Sequence, residues 1–190
     1  MLQDLKGEIN MNRYSNIYDM YARLINYPDK DIYSLSDDCV ILLEEYYPED
    51  SENVLKFCSE LKKMSLDKLE ELYVGTFDVN PICALEVGWQ IWGEQYKRGE
   101  FLTEMRVHLR EYGISEQTEL PDHLIHMLPL LSKMNADVSL EYCSKYVLPA
   151  VKKMIEGFKD NDHLYYLLLS GILLTLSSQC EKNIEDAQHV

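Results

Sequence analysis

Apolar side chains recur at intervals of three and four residues along nearly all of this chain, and that period constrains the fold more than any other feature. A helix collects positions i, i+3, i+4 and i+7 on one face, whereas a half-buried strand needs strict alternation. No alternating run of strand length is present, and neither Asn-Gly nor Asp-Gly occurs to mark a hairpin. The expected fold class is therefore all-α. With 190 residues, 46% of them hydrophobic, the chain can bury one sizeable core. We expect a single-domain multi-helix bundle over residues 1–180, with the polar residues 181–190 as a frayed tail.

Read along the chain, Ile17, Tyr18, Tyr21, Leu24 and Ile25 share one face of a first helix, opened by Ser15 and stopped near Pro28. Val40, Leu43, Tyr46 and Tyr47 mark a second, ended by Pro48. Asp50-Ser51 caps a third, with Val54, Leu55, Cys58, Leu61 and Met64 inward, and Ser65 caps a fourth with Leu66, Leu69, Leu72 and Tyr73. The Gly75 to Pro81 stretch reads as a helix break. A short helix then carries Leu85, Trp89 and Trp92 toward Gly93, and a longer one runs from Lys97 to Tyr112 with Gly113 at its C′ position. After a polar loop, Ile114 to Glu119, Pro121 is placed to start a helix. The last helices are expected from Asp137 to Phe158, kinked by Pro149, and from Asp162 to Cys180. The second of these is apolar on nearly all sides and should be the central one. Fourteen tyrosines against four phenylalanines suggest broad amphipathic surfaces or a groove with hydroxyl handles.

Thirty-three acidic and eighteen basic side chains leave a net charge of −15. That balance disfavours sequence-independent nucleic-acid binding and docking on anionic lipid, both of which need clustered Lys and Arg. It suits solubility or a basic partner. The five cysteines, Cys39, Cys58, Cys83, Cys143 and Cys180, form no C-x-x-C pair and fall at apolar helical positions, as small core residues do. The N-terminus lacks a basic segment followed by an apolar run, and the longest apolar stretch, residues 164–176, is short of the roughly 20 residues that span a bilayer. A cytoplasmic location with reduced thiols is expected.

Catalytic signatures are missing. There is no G-x-G-x-x-G, P-loop, G-x-S-x-G or H-E-x-x-H. His123 and His126 could share a helical face and hold a metal, but no carboxylate or thiolate stands at ligand spacing. No catalytic residue, metal site or cofactor is expected.

One stretch differs in kind. It reads Tyr73-Val74-Gly75-Thr76-Phe77-Asp78, then Gly93, then Arg98-Gly99, then Glu119-Leu120-Pro121-Asp122-His123-Leu124. In these four elements, in this order, the chain resembles the redox-enzyme maturation chaperones, specifically the NarJ (nitrate reductase delta subunit) branch of the TorD-like family. It departs from the family at Gly93-Glu94, where Gly-Asp is frequent, and at Ile125-His126-Met127.

The resemblance implies a cytoplasmic, all-helical, non-catalytic assembly chaperone. Its partner would be the catalytic subunit of a molybdopterin-dependent oxidoreductase, held through an N-terminal leader or twin-arginine signal until the cofactor is inserted. The acidic body, the Tyr and Trp content and the missing catalytic motifs fit such a binder. The candidate client-binding residues are Leu120, Pro121, Asp122, His123, Tyr73, Phe77, Asp78, Trp89 and Trp92. Asp122 has two readings. It either complements the start of the helix behind Pro121 or meets an arginine or amide of the client, with His123 beside it. Tyr73 and Phe77 are core or groove, and Trp89 and Trp92 share a face that could line a groove. In Arg98-Gly99 the glycine is expected to admit a close backbone and the arginine to pair with an acid. The loop at 114–119 permits either a monomer or a domain-swapped dimer. The alternative function is an all-helical regulatory or scaffold protein that binds another basic or amphipathic peptide.

Overall fold

The computed structural model describes residues 17–46 and 51–188, with side chains through residue 181. Ser15, Tyr47, Pro48 and Asp50, named above as helix ends or caps, lie outside the described residues. Helix α1 covers residues 17–24. It is followed by α2 (Ile32–Tyr46), α3 (Glu52–Leu61) and α4 (Leu66–Tyr73), then a π-helical turn (Val74–Asp78), α5 (Val87–Trp92) and α6 (Tyr96–Glu111). Next come α7 (Leu124–Lys133), α8 (Ala136–Tyr142), a second π-helical turn (Cys143–Val147), α9 (Leu148–Glu156) and α10 (Leu164–Gln188). Among the described residues there is no strand, only an isolated antiparallel bridge between Glu86 and His123. No described helix is long and apolar enough to cross a membrane.

The faces predicted for the first and third helices are largely buried, whereas on α2 Leu43 is buried, Val40 only partly so and Tyr46 exposed. Ile17, Tyr18, Tyr21, Leu24 and Ile25 are fully buried, as are Val54, Cys58, Leu61 and Leu69. Helix α10 is central, packing chiefly on α3 and α9. At its crossing with α3 a Cβ on Gly171 would stand 2.1 Å from Val54 Cγ2, so only glycine allows that approach. All five cysteines are buried free thiols.

Several expectations need correction. The wealth of tyrosine does not go to surfaces alone: Tyr142 joins the core beside Tyr18, Tyr21, Tyr73 and Tyr165, whose burial the helical period predicts. Two of these buried hydroxyls are partnered, Tyr21 sharing a 3.1 Å bond with Thr175 and Tyr18 donating to Gln179, whereas the Tyr165 hydroxyl has no hydrogen-bond partner among the described residues. Gly75 does not break the fourth helix. The chain widens into the π turn, where Val79 N–H reaches back to Val74 O. The second π turn likewise divides the helix expected over 137–158, and Pro149 sits in the first turn of α9, where its missing N–H costs nothing. Helix α2 begins at Ile32, earlier than the apolar pattern showed, and α10 continues to Gln188, past Cys180. Pro121 starts no helix. Helix α7 begins at Leu124 with His123 as its N-cap.

Candidate functional site

Helix α5 is short, and its first turn has free N–H groups that its own N-cap, Glu86, leaves without a side-chain acceptor. Asp122 supplies the acceptors from across the fold. Its main-chain oxygen accepts from Val87 N–H at 2.9 Å, and its Oδ2 accepts from Gly88 N–H at 2.9 Å. Leu124 N–H returns a bond to Leu85 O at 3.0 Å, closing the bridge between Glu86 and His123. Asp122 is thus a carboxylate at a helix start, but the helix is α5 and not its own. This corrects the position expected from Pro121.

The side chain of Asp122 is wholly buried, 3.7 Å from Arg98 Nε. Burial raises its pKa, against the Arg98 charge and the Gly88 N–H, which lower it. The Arg98 guanidinium in turn lies over the Trp89 ring, 5.4 Å from its centroid. Gly88 makes the arrangement possible, since a Cβ there would stand 2.6 Å from Asp122 Oδ2 and 3.1 Å from Phe101 Cδ1. The glycine expected to admit a close approach was Gly99, which meets nothing within 4 Å.

His123 and His126 are spent on structure. His123 Nδ1 accepts from Ile125 N–H at 3.3 Å, and burial, reinforced by His126, depresses its pKa to about 3. His126 is bonded to Leu120 O at 2.9 Å and to Gln117 N–H at 3.4 Å, which pins the loop before α7. Among the described residues no three His, Cys, Asp or Glu side chains are placed to hold a metal ion.

The remaining candidates divide by face. Tyr73 and Phe77 are buried, stacked edgewise on one another at 5.1 Å and on Tyr165 at 5.8 and 4.9 Å. Trp89 is half-buried and donates from Nε1 to Pro81 O at 2.8 Å, while Trp92 packs on Phe101 and Tyr146. Asp78 and Leu120 are exposed, Pro121 is buried, and neither Asp122 nor His123 reaches solvent to any useful extent.

On the outer side of the turn that buries Tyr73 and Phe77, Leu72, Gly75 and Thr76 open onto a groove of about 740 Å³. Met64, Cys83 and Phe158 complete an apolar lining, and Lys68, Glu71, Lys159 and Asp160 border it. Val79 and Ile82, in the connection that follows, are 71% and 61% exposed. His163 closes one end. Its Nδ1 accepts from Tyr165 N–H at 3.2 Å, which leaves the proton on Nε2, 3.4 Å from Thr76 Oγ1; that hydroxyl donates to Leu72 O. Burial lowers the His163 pKa, against Asp160, so the ring is a neutral donor. Thr76 was visible within Y-x-x-T-F-D. Phe158 and His163 carried no local signal, because the fold brings them from 87 residues downstream in the case of His163.

Residues 43–159 match the family model described as nitrate reductase delta subunit. A Bacillus subtilis (strain 168) protein described as "Probable nitrate reductase molybdenum cofactor assembly chaperone NarJ" is 28% identical over 157 residues, 82% of this chain and 85% of that protein. A crystal structure from Archaeoglobus fulgidus, described as that of "A Putative Redox Enzyme Maturation Protein", superposes with a TM-score of 0.61 at 18% identity, covering 86% of this chain and 93% of that one. The last likeness concerns the fold.

Proposed function

The chain belongs to the nitrate reductase delta subunit family, and from that membership we propose that it is a cytoplasmic assembly chaperone, not an enzyme, which holds the catalytic subunit of a molybdenum-dependent oxidoreductase by its N-terminal leader until the cofactor is in place. The observation that carries the reading is the groove beside Thr76. It is large enough for several side chains, apolar within and bordered by charge, and it opens from one of the four family-like segments of the chain. In this reading the leader lays apolar side chains against Met64, Leu72 and Phe158, with Val79 and Ile82 as an apolar rim.

The other candidates take supporting parts. Asp78, Leu120, Trp89 and Trp92 meet the client along the adjoining surface. Pro121, Asp122 and His123 act from beneath, by fixing α5 and the Arg98–Trp89 pair, and Tyr73 and Phe77 hold the turn from the core side. The surrounding acidic field draws in a basic leader, while the groove border itself is balanced between two lysines and two acids. Titration calorimetry with a synthetic peptide of the N-terminal residues of the nitrate reductase catalytic subunit tests this. Saturable one-to-one binding that a scrambled peptide does not reproduce supports the reading, and equal heats from both peptides overturn it.

A further inference from the structure

We propose that the cleft between α1 and α2 is a second docking surface, made for a basic amphipathic helix of a partner protein whose apolar side chain stands between lysines or arginines. The cleft encloses about 380 Å³ and shares no lining residue with the groove at Thr76. One wall is a single stripe of α2. Asp38, Ile41, Leu42 and Glu45 stand at i, i+3, i+4 and i+7, so two carboxylates bracket two apolar side chains. The facing wall is Asp19, Met20 and Arg23 of α1.

Two observations separate this stripe from an ordinary solvated face. Ile41 is 63% exposed, although it is β-branched, apolar and lies in a concavity beside the half-buried Leu42 and Met20. The charge around it is also unequal. Three carboxylates face one guanidinium. Outside the cleft Asp19 is engaged by Ser132 and Lys133, and Glu45 by the Tyr46 hydroxyl. Among the described residues, however, none of the three closes an ion pair within 4 Å, and Asp38 and Glu45 keep their charge beside Ile41. Elsewhere on α2, Asp37 has found Lys62 at 2.5 Å, and Lys56 of α3 has found Asp162 at 2.7 Å.

The stripe states what fits. Asp38 and Glu45 are seven residues apart on a helix, a separation of roughly 10 Å. An opposing helix satisfies both with two cations the same distance apart, and an apolar side chain midway between them enters the space over Met20, Ile41 and Leu42. The charges then set orientation and the apolar contact supplies most of the affinity.

The probe is a synthetic helical peptide of about 15 residues with a central leucine, a lysine four positions before it and another three positions after. Binding is followed by amide chemical-shift changes in the full chain. The proposal expects saturable changes confined to residues of α1 and α2. Ile41→Glu should weaken binding by roughly tenfold or more, and Asp38→Asn with Glu45→Gln should weaken it severalfold and flatten its salt dependence. Lys68→Ala, at the border of the other groove, should leave it unchanged. Ile41 and both acids are exposed, so these variants fold, and the isosteric pair serves if Ile41→Glu does not. Shifts spread over the whole acidic surface, or affinity indifferent to both sets of variants, overturn the proposal.

Discussion

Asp122 Oδ2 accepts the Gly88 N–H at 2.9 Å across 34 residues of chain, so one carboxylate caps a helix to which it does not belong. Removing it in Asp122→Ala strips α5 of that acceptor and leaves Arg98, only 21% exposed, without its counter-ion. The expected loss is about 2–4 kcal/mol, composed of an unsatisfied N–H and an unpaired charge. For a chain of this size, each kcal/mol moves the melting temperature by about 2–4 °C. Asp122→Asn, which keeps an acceptor oxygen, should lose about half as much. Thermal and urea melts of the two variants check this, and equal stability of both with the parent would refute the capping role.

The two glycines Gly88 and Gly99 should respond oppositely to alanine. A methyl at Gly88 would stand 2.6 Å from Asp122 Oδ2 and 3.3 Å from Arg98 Cγ, and it should cost about 1–3 kcal/mol through forced displacement. At Gly99, inside α6 and with nothing within 4 Å, the same change should stabilise by about 0.5–1 kcal/mol, since alanine is the better helix former. Urea midpoints moving in the same direction for both would contradict the packing described at Gly88.

Acid should destabilise the protein through His123. Its pKa falls from 6.5 to about 3 on folding, so between those values the unfolded chain binds a proton that the native ring does not. The stabilisation is fully present above pH 6.5 and is lost as pH falls from there toward 3, with a slope approaching about 1.4 kcal/mol per pH unit. His163, also lowered, works in the same direction; Asp122, raised, opposes it at the acid end. His123→Asn retains a side-chain acceptor for Ile125 N–H but cannot titrate. Its stability profile between pH 6 and 4 (values chosen inside that window) should be flatter than the parent's.

Gly75 lines the groove and a Cβ there meets nothing within 4 Å. Gly75→Trp should therefore fill the groove while changing stability by no more than about 0.5 kcal/mol, as surface substitutions do. Leader-peptide affinity should fall roughly tenfold or more, which is at least about 1.4 kcal/mol. Retained affinity in a folded variant would move the binding site elsewhere.

The fold was legible wherever a helix has one apolar face. Ile17 to Ile25 and Val54 to Leu61 announced their burial because periodicity reports it directly. The start of α2 at Ile32 was hidden, since its first turn mixes Ile32 and Leu35 with Ser34 and Ser36, and Ser36 is itself buried and bonded to Tyr33 O. Both π turns were hidden for another reason: they are adjustments of hydrogen-bond register, which composition does not record. Asp122 was rightly singled out as a carboxylate near a helix start, and Arg98 as pairing with an acid. The helix being capped, and the need for glycine at Gly88 instead of Gly99, depend on tertiary contact. His163 entered the groove unannounced, because only the packing of α10 on the π turn sets it beside Thr76.

The central claim is that this chain holds a catalytic subunit before its cofactor is inserted. The most direct measurement compares the affinity of the full chain for the nitrate reductase catalytic subunit in two states, purified without molybdenum cofactor and fully loaded. The account predicts that the unloaded subunit binds at least roughly tenfold more tightly and that Gly75→Trp removes the difference. Equal affinity for the two states, or no binding to either, would contradict it.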